Sequence, residues 1–194
     1  MHSSAFEFVR RAIGRKTFER VLDIGSLDVN STAQGLHPRE LLGTAKYYGI
    51  DAREGQGVDK AVAAADYDGK EKYDLVISTE TAEHTPDPRE ILDCAWRALT
   101  PGGLLILTAA GPGRQPHGVD GGDVGNEWYQ NVGPQELAGW LEAGGWQSVY
   151  VEHNTSAGDV YASARKPKGE SKAEPKAEEV KAEEARDDKG TKSA

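Results

Sequence analysis

The sequence predicts an α/β protein in which a mainly parallel, doubly wound sheet lies between two layers of helices. Short apolar runs rich in Val, Ile and Leu recur along the chain, which is typical of strands covered on both faces. Segments with apolar residues at helical spacing lie between these runs. Because strands that alternate with helices form parallel crossover units, the expected architecture is a three-layer sandwich.

Six apolar runs mark the clearest strands. They cover residues 21–24, 47–50, 73–78, 104–107, 146–151 and 160–164. The first two end at Gly25 and Asp51, which interrupt an apolar pattern. Only residues 154–158 separate the last two runs, so these strands are expected to form an antiparallel pair at one edge of the sheet.

Three helices are expected between the strands. The first covers residues 4–13, where apolar side chains recur on one face. The second begins with Asp87-Pro88-Arg89-Glu90, in which Asp87 is the expected N-cap and Glu90 closes a capping box. The third begins at Gly133-Pro134.

The crossovers near the start of the sheet are short. Residues 52–57 alone separate the second strand from the next apolar segment, 58–62, although a parallel crossover usually needs about a dozen residues. Either the crossover helix is reduced to a turn, or the third strand is misplaced. The first crossover helix is also brief, near residues 38–42.

Composition divides the 194-residue chain into one folded domain, 1–164, and a charged tail, 165–194. The tail holds nine Lys or Arg and eight Asp or Glu, but its one branched apolar residue is Val180. Such a segment cannot bury enough surface to offset its ordering entropy, so we expect it to be disordered.

Several classes of protein are disfavoured by composition. A single cysteine, Cys94, excludes a disulfide framework and a cysteine-based zinc site. No apolar run is long enough to cross a membrane and none resembles a signal core, so a cytoplasmic protein without membrane contact is expected. The folded part is acidic, which disfavours broad contact with nucleic acid. The sequence carries no signal of an oligomeric state.

Polar residues follow the predicted strands at their carboxyl ends, where open α/β sheets bind ligands. The first strand supplies Asp23, Gly25 and Ser26, and the second ends at Asp51. A carboxylate at that second position can accept both hydroxyls of a ribose. The glycine fingerprint of a dinucleotide site is absent after Gly25, and Asp28 would repel a diphosphate. The predicted ligand is therefore a nucleoside without phosphates, preferably one that carries a cation.

Four segments together resemble the class I S-adenosylmethionine-dependent methyltransferases, in their type 11-like, small-molecule branch. They are VLDIGS at 21–26, GID at 49–51, YDLVISTETAEHTPDPREIL at 73–92 and LTPGGLLILT at 99–108. The resemblance implies a Rossmann-like sheet of seven strands with an antiparallel edge strand. It also implies S-adenosylmethionine as the cofactor and methyl transfer to an acceptor by in-line displacement.

The motif positions imply two groups of site residues. Those against the methionine part and the ribose of the cofactor are Asp23, Gly25, Ser26 and Asp51. Those that border the sulfonium and the acceptor are Ser78, Thr79, Glu80 and His84. The adenine contact falls near Ala63, where Asp66 is the nearest carboxylate.

The loop after the predicted strand at 104–107 is the expected acceptor side. It is rich in glycine and mixes charges with aromatic rings, and Arg114, His117, Trp128 and Tyr129 are predicted to contact a small-molecule acceptor. A base is needed only for a protonated nucleophile; His84 and His117 are the first candidates, and Asp120 or Asp123 are weaker ones. His117 and Asp120 offer two metal ligands without a third at fixed spacing, so no metal site is predicted.

Two rival functions follow from departures from the family pattern. Only the first glycine of the family's loop is present, at Gly25, and the crossover after Asp51 is short. These features favour, as an alternative, a catalytically inactive S-adenosylmethionine-binding module with a regulatory or assembly role. A nicotinamide enzyme on a similar sheet is disfavoured because the glycine fingerprint is missing.

Overall fold

The computed structural model describes residues 3–29 and 36–169. Most of the predicted tail lies outside this range, so its expected disorder stays a prediction. The helices are α1 (Ser3–Ile13), α2 (Arg89–Ala98) and α3 (Pro134–Ala143), with short 3-10 turns at Pro38–Leu41 and Ala82–His84. The strands are β1 (Arg20–Ile24), β2 (Lys46–Asp51), β3 (Lys60–Ala61), β4 (Tyr73–Thr79), β5 (Leu99–Ala110), β6 (Gln147–Asn154) and β7 (Asp159–Arg165).

All seven strands form one sheet in the order β3-β2-β1-β4-β5-β7-β6. β1 to β5 pair in parallel, whereas β7 runs antiparallel to both β5 and β6. The closing hairpin therefore brings the antiparallel strand to one side of the sheet, and the predicted fold class is confirmed. The strand order reverses between β1 and β4, which places a ligand crevice at their carboxyl ends.

The two faces of the sheet are covered by different helices. On β1, Leu22 and Ile24 pack in the cluster formed with α2 and α3. Val21 lies in the opposite cluster, with Phe8 and Val9 of α1. This alternation follows from the two-residue period of a strand, and the buried apolar area on both faces drives the three-layer packing.

The short crossovers are real features of the fold. A 3-10 turn replaces the first crossover helix, and β3 is only two residues long, inside the predicted segment 58–62. The N–H of Asp59 donates to the Gly49 carbonyl at 2.8 Å, and the Asp59 carboxylate accepts the Gly49 N–H at 2.7 Å. These bonds hold the segment parallel to β2, so the crossover is reduced to a turn and the third strand is not misplaced.

The start of α2 agrees with the predicted cap, whereas the start of β5 does not agree with its apolar run. α2 covers Arg89–Ala98, and Asp87 Oδ1 accepts the Arg89 N–H at 3.1 Å, which is the bond expected of an N-cap carboxylate. β5 already begins at Leu99, because its first residue pairs with Tyr73 across a register shift. None of the helices in the described ranges is long and apolar enough to cross a membrane.

Candidate functional site

A cleft of about 1160 Å³ opens at the carboxyl ends of β1, β2 and β4 and extends under the loop that follows β5. Most of the residues predicted from the sequence line it: Asp23, Gly25, Ser26, Asp51, Thr79, Glu80, His84, Arg114, His117 and Trp128. Ser78, Asp66 and Tyr129 do not line it. The cleft is long enough to hold a nucleoside at one end and a second molecule at the other.

The side chain of Asp23 is a buried carboxyl group in which one oxygen accepts a hydrogen bond. The Tyr47 hydroxyl donates a hydrogen bond to Oδ2, whereas Oδ1 has no hydrogen-bond partner among the residues that the structure describes. Burial raises the pKa of Asp23 to about 7, and the charge of Asp51 adds to this, while Tyr47 and Arg39 oppose it. A buried acceptor at a cleft wall is suited to a cationic or hydrogen-bond-donating ligand group.

The turn after β1 requires glycine for two reasons. Gly25 has φ +80°, and a Cβ at this position would overlap the Thr81 side chain. The N–H groups of Gly25 and Ser26 both donate to the Ile50 carbonyl, at 2.8 and 3.0 Å. The turn is thus fixed against the end of β2, and the buried Ser26 lies beside Gly49.

Asp51 ends β2 and connects two loops at the cleft. Its Oδ1 accepts the Arg53 N–H at 2.9 Å, and its Oδ2 accepts the Leu27 N–H at 3.4 Å. Each carboxylate oxygen can accept two hydrogen bonds, so each keeps capacity for one more. The side chain is 13% exposed, which suits a carboxylate that faces a ligand in a cleft.

The wall beyond Asp51 differs from the predicted adenine contact. Val62, Ala63 and Ala64 line the cleft, whereas Asp66 is exposed on the following turn. The Arg97 side chain fixes this wall from α2 by donating to the Ala64 carbonyl at 3.2 Å. A flat, apolar strip therefore stands where a carboxylate was expected.

Acidic side chains are buried where β4, β5 and β7 meet. Glu80 Oε1 accepts the Thr108 hydroxyl at 2.8 Å, and burial followed by the charge of Asp159 raises the pKa of Glu80. Asp159 is fully buried and pairs with Arg114 at 2.8 Å. Burial, with Glu80 as the next contributor, raises the pKa of Glu83 to about 8. Arg114 is therefore anchored in the wall of the cleft by an ion pair.

Three rings meet at the acceptor end. The ring centroids of His84 and His117 are 5.2 Å apart, and Tyr129 lies 5.5 and 4.9 Å from them. Burial, and then the neighbouring His117, lower the pKa of His84. The two predicted bases thus lie together, with Tyr129 behind them. Trp128 remains 46% exposed at the rim.

Sequence reasoning missed three members of this region. They are Tyr47, Glu83 and Asp159, none of which the strand-end pattern identifies as a site residue. In the parallel pairing of β2 with β1, Asp23 lies opposite Gly49, and Tyr47 is two residues earlier on the same strand. This pairing was the signal that could have placed Tyr47 near Asp23. The position of Asp159 depends on the antiparallel pairing of β7 with β5, which connects distant parts of the chain.

Comparison with known proteins identifies the family. A family model described as a methyltransferase domain matches residues 1–153, so the chain belongs to this family. A ubiquinone biosynthesis O-methyltransferase of Xanthomonas oryzae pv. oryzae is 31% identical over 148 residues, which cover 63% of this chain and 60% of that protein. The chain thus spans less than two thirds of the length of such curated relatives.

Solved structures with the same fold include two of different function. The Burkholderia thailandensis 1,6-didemethyltoxoflavin-N1-methyltransferase, with bound S-adenosylhomocysteine, has a TM-score of 0.59 and 19% identity, covering 85% of this chain and 77% of that one. The [4+2]-cyclase SpnF has a TM-score of 0.62 and 16% identity, covering 86% and 81%. At this level of identity the likeness concerns the fold alone.

Proposed function

We propose that this chain is an S-adenosylmethionine-dependent methyltransferase that transfers a methyl group to a small-molecule acceptor. The observation that carries the proposal is the pair of carboxylates at the ends of β1 and β2. Asp23 has an unpartnered, buried Oδ1, and Asp51 keeps acceptor capacity on both oxygens. Such a pair suits a ligand with a cationic group at one end and a ribose diol in the middle.

The residues present fit the cofactor along the length of the cleft. Asp23, Gly25 and Ser26 would hold the methionine part, and Asp51 would accept the ribose hydroxyls. The strip at residues 62–64 would contact the adenine in place of Asp66, because its small apolar side chains suit a flat ring. Glu80 lines the cleft directly after β4, where its carboxyl group would favour a positively charged sulfur.

When bound, the cofactor supplies a methyl group attached to a sulfonium sulfur. After the transfer this sulfur is part of a neutral sulfide. The chain itself must hold the acceptor atom in line and exclude water, which accounts for most of the acceleration in such displacements. His84 and His117 lie at the acceptor end, where either imidazole could remove a proton from a hydroxyl acceptor. Trp128 would cover the acceptor from the rim, and the ion-paired Arg114 would form the wall beside it.

Isothermal titration with S-adenosylmethionine and S-adenosylhomocysteine tests this proposal. We expect saturable binding by the wild-type chain and at least about tenfold weaker binding by Asp51→Ala, since two hydrogen bonds to a charged group are lost. Asp68→Ala changes an exposed carboxylate outside the cleft and serves as the control. Absence of binding would refute the proposal. Binding without methylation of any cell extract would favour the inactive binding module.

Two features support a small-molecule acceptor. The cleft has a limited volume, and the ion-paired Arg114 forms a fixed wall at its acceptor end. An alanine series at positions 114, 117, 128 and 129 should change turnover once an acceptor is identified, and unchanged turnover throughout would exclude this loop from acceptor binding. A cytoplasmic location and the absence of nucleic-acid contact stay predictions from the sequence.

A further inference from the structure

Three metal-ligating side chains converge at the acceptor end of the cleft. Glu83 and His84 come from the 3-10 turn after β4, and His117 comes from the loop after β5. One possible ligand atom from each residue lies within 4.8 Å of the other two. The segments are distant in sequence, so the fold itself creates this cluster.

Glu83 is the unusual member of the cluster. Its side chain is fully buried, and within residues 3–29 and 36–169 no side chain donates a hydrogen bond to its carboxyl oxygens, although the backbone of Glu83 and Ala110 stabilises the charged form. Burying a carboxyl group without partners costs several kcal/mol unless the group is protonated, paired or bound to a metal. Glu83 thus lies behind the residues that line the cleft, and its carboxyl group has no side-chain partner in the described ranges.

The tautomer of His117 and the buried Nδ1 of His84 both bear on metal binding. His117 Nδ1 is 3.0 Å from the Gln115 carbonyl, which can only accept, so Nδ1 carries the hydrogen and Nε2 carries the lone pair. A histidine that binds a metal has its tautomer fixed by a backbone carbonyl in the same way. In the described part of the chain, the buried Nδ1 of His84 has no hydrogen-bond partner.

We propose that Glu83, His84 and His117 bind a divalent transition-metal ion such as Zn²⁺. Two histidines and one carboxylate form a ligand set that leaves a fourth position of a tetrahedral ion open. A tetrahedral ion with bonds of about 2.1 Å keeps its ligand atoms about 3.4 Å apart, so ligand atoms that lie within 4.8 Å of one another need to close by at most about 1.4 Å. Tyr129 packs against both imidazoles and limits their rotation.

The open position gives the metal a role that rests on the proposed methyl transfer. It would take the oxygen of a hydroxyl acceptor, because a bound metal ion lowers the pKa of a ligating hydroxyl. The O–H bond breaks and its proton passes to solvent. The oxygen then forms a bond to the methyl carbon while the carbon–sulfur bond breaks, and that electron pair leaves on sulfur. The acceptor class is therefore a hydroxyl compound.

Metal titration of the full chain, freed of any histidine tag and first treated with EDTA, tests the site directly. We expect one equivalent of Co²⁺ to give the visible absorption of a low-coordinate ion, and one equivalent of Zn²⁺ to displace it. His117→Ala and Glu83→Gln should each weaken metal binding by at least about tenfold. His153→Ala removes a histidine that contacts Pro112 outside the cleft, and it should leave metal binding unchanged.

The outcomes separate this proposal from the proposed function. Absence of stoichiometric metal binding by the wild-type chain overturns the metal site, even where S-adenosylmethionine still binds in calorimetry. An equal loss in His153→Ala also overturns it, because binding would then be non-specific. Metal binding without cofactor binding supports the site and refutes methyl transfer. Circular dichroism of each variant identifies samples that have unfolded. If the variants unfold, the titration of the wild-type chain still shows whether the metal site exists.

Discussion

Tyr47 donates a hydrogen bond from its hydroxyl to Oδ2 of Asp23, across the parallel pairing of β2 with β1. The bond fixes the carboxyl group of a residue that lines the cleft, and Oδ1 has no hydrogen-bond partner within the described ranges. It also favours the ionised form, against the larger effect of burial. Tyr47 is therefore a positioning residue for the cofactor end of the site.

Replacement of Tyr47 by phenylalanine should weaken S-adenosylmethionine binding about tenfold at about pH 7, because the pKa of Asp23 rises further when this hydrogen bond is lost. Titration calorimetry at about pH 7 and pH 8.5 provides the measurement, and part of the affinity should return at the higher pH. Tyr150→Phe removes an exposed hydroxyl and is the control. Equal affinities for both variants would contradict the assigned role of Tyr47.

Gly25→Ala should destabilise the protein by more than about 2 kcal/mol, since the added Cβ overlaps Thr81 and the residue must keep a positive φ. Gly113→Ala separates the effect of the positive φ from the effect of the steric overlap. Gly113 also has a positive φ, but apart from its chain neighbours no atom in the described structure lies within 4 Å of its ideal Cβ. Urea unfolding should therefore show a smaller loss there. Thr81→Ala should partly restore the Gly25→Ala variant, and failure to do so would contradict the overlap.

The free energy of unfolding should fall as the pH rises from about 5 to 8. The pKa of Glu83 is raised to about 8 in the folded chain, so the folded state holds a proton that the unfolded state has released in this range. The slope for one proton approaches about 1.4 kcal/mol per pH unit. Denaturation in EDTA should show a flatter profile for Glu83→Gln than for wild type. The exposed substitution Glu142→Gln should leave the profile unchanged, and an unaltered slope in Glu83→Gln would exclude this carboxyl as its source.

Arg114→Ala should cost about 3 kcal/mol of stability, because it leaves Asp159 buried and unpaired. The paired substitution Arg114→Met with Asp159→Leu should recover part of this loss. Arg89→Ala removes an exposed ion pair with Asp87 and should cost no more than about 0.5 kcal/mol. Chemical denaturation measures all three, and similar losses for Arg114→Ala and Arg89→Ala would show that burial of the pair contributes little.

Local patterns in the sequence predict much of this fold. The apolar strands, the three helices and the carboxylates Asp23 and Asp51 are where periodicity and strand-end reasoning place them. These features depend on spacing within one segment, which a single sequence displays directly. The fold class was also predictable because alternating strands and helices have few ways to pack.

The chemistry at the acceptor end depends on contacts between distant segments. His117 reaches His84 only because the loop after β5 folds back across β4, and Arg114 reaches Asp159 only because β7 pairs with β5. Neither contact has a periodic signature in the chain. Asp66 is a residue that the family pattern suggested and the fold places elsewhere. The pattern predicted a carboxylate contact to adenine near Ala63, but Asp66 is exposed on the turn that follows.

The position of β7 has a consequence for biosynthesis. This strand pairs with β5 on one side and β6 on the other, although it comes after both of them in the sequence. While the ribosome is still adding residues before Asp159, the edge of β5 has no strand to cover it. A nascent chain that stops in that interval would expose the unpaired edge of β5 and would be prone to aggregation. We expect chaperones to bind the nascent chain most at this stage.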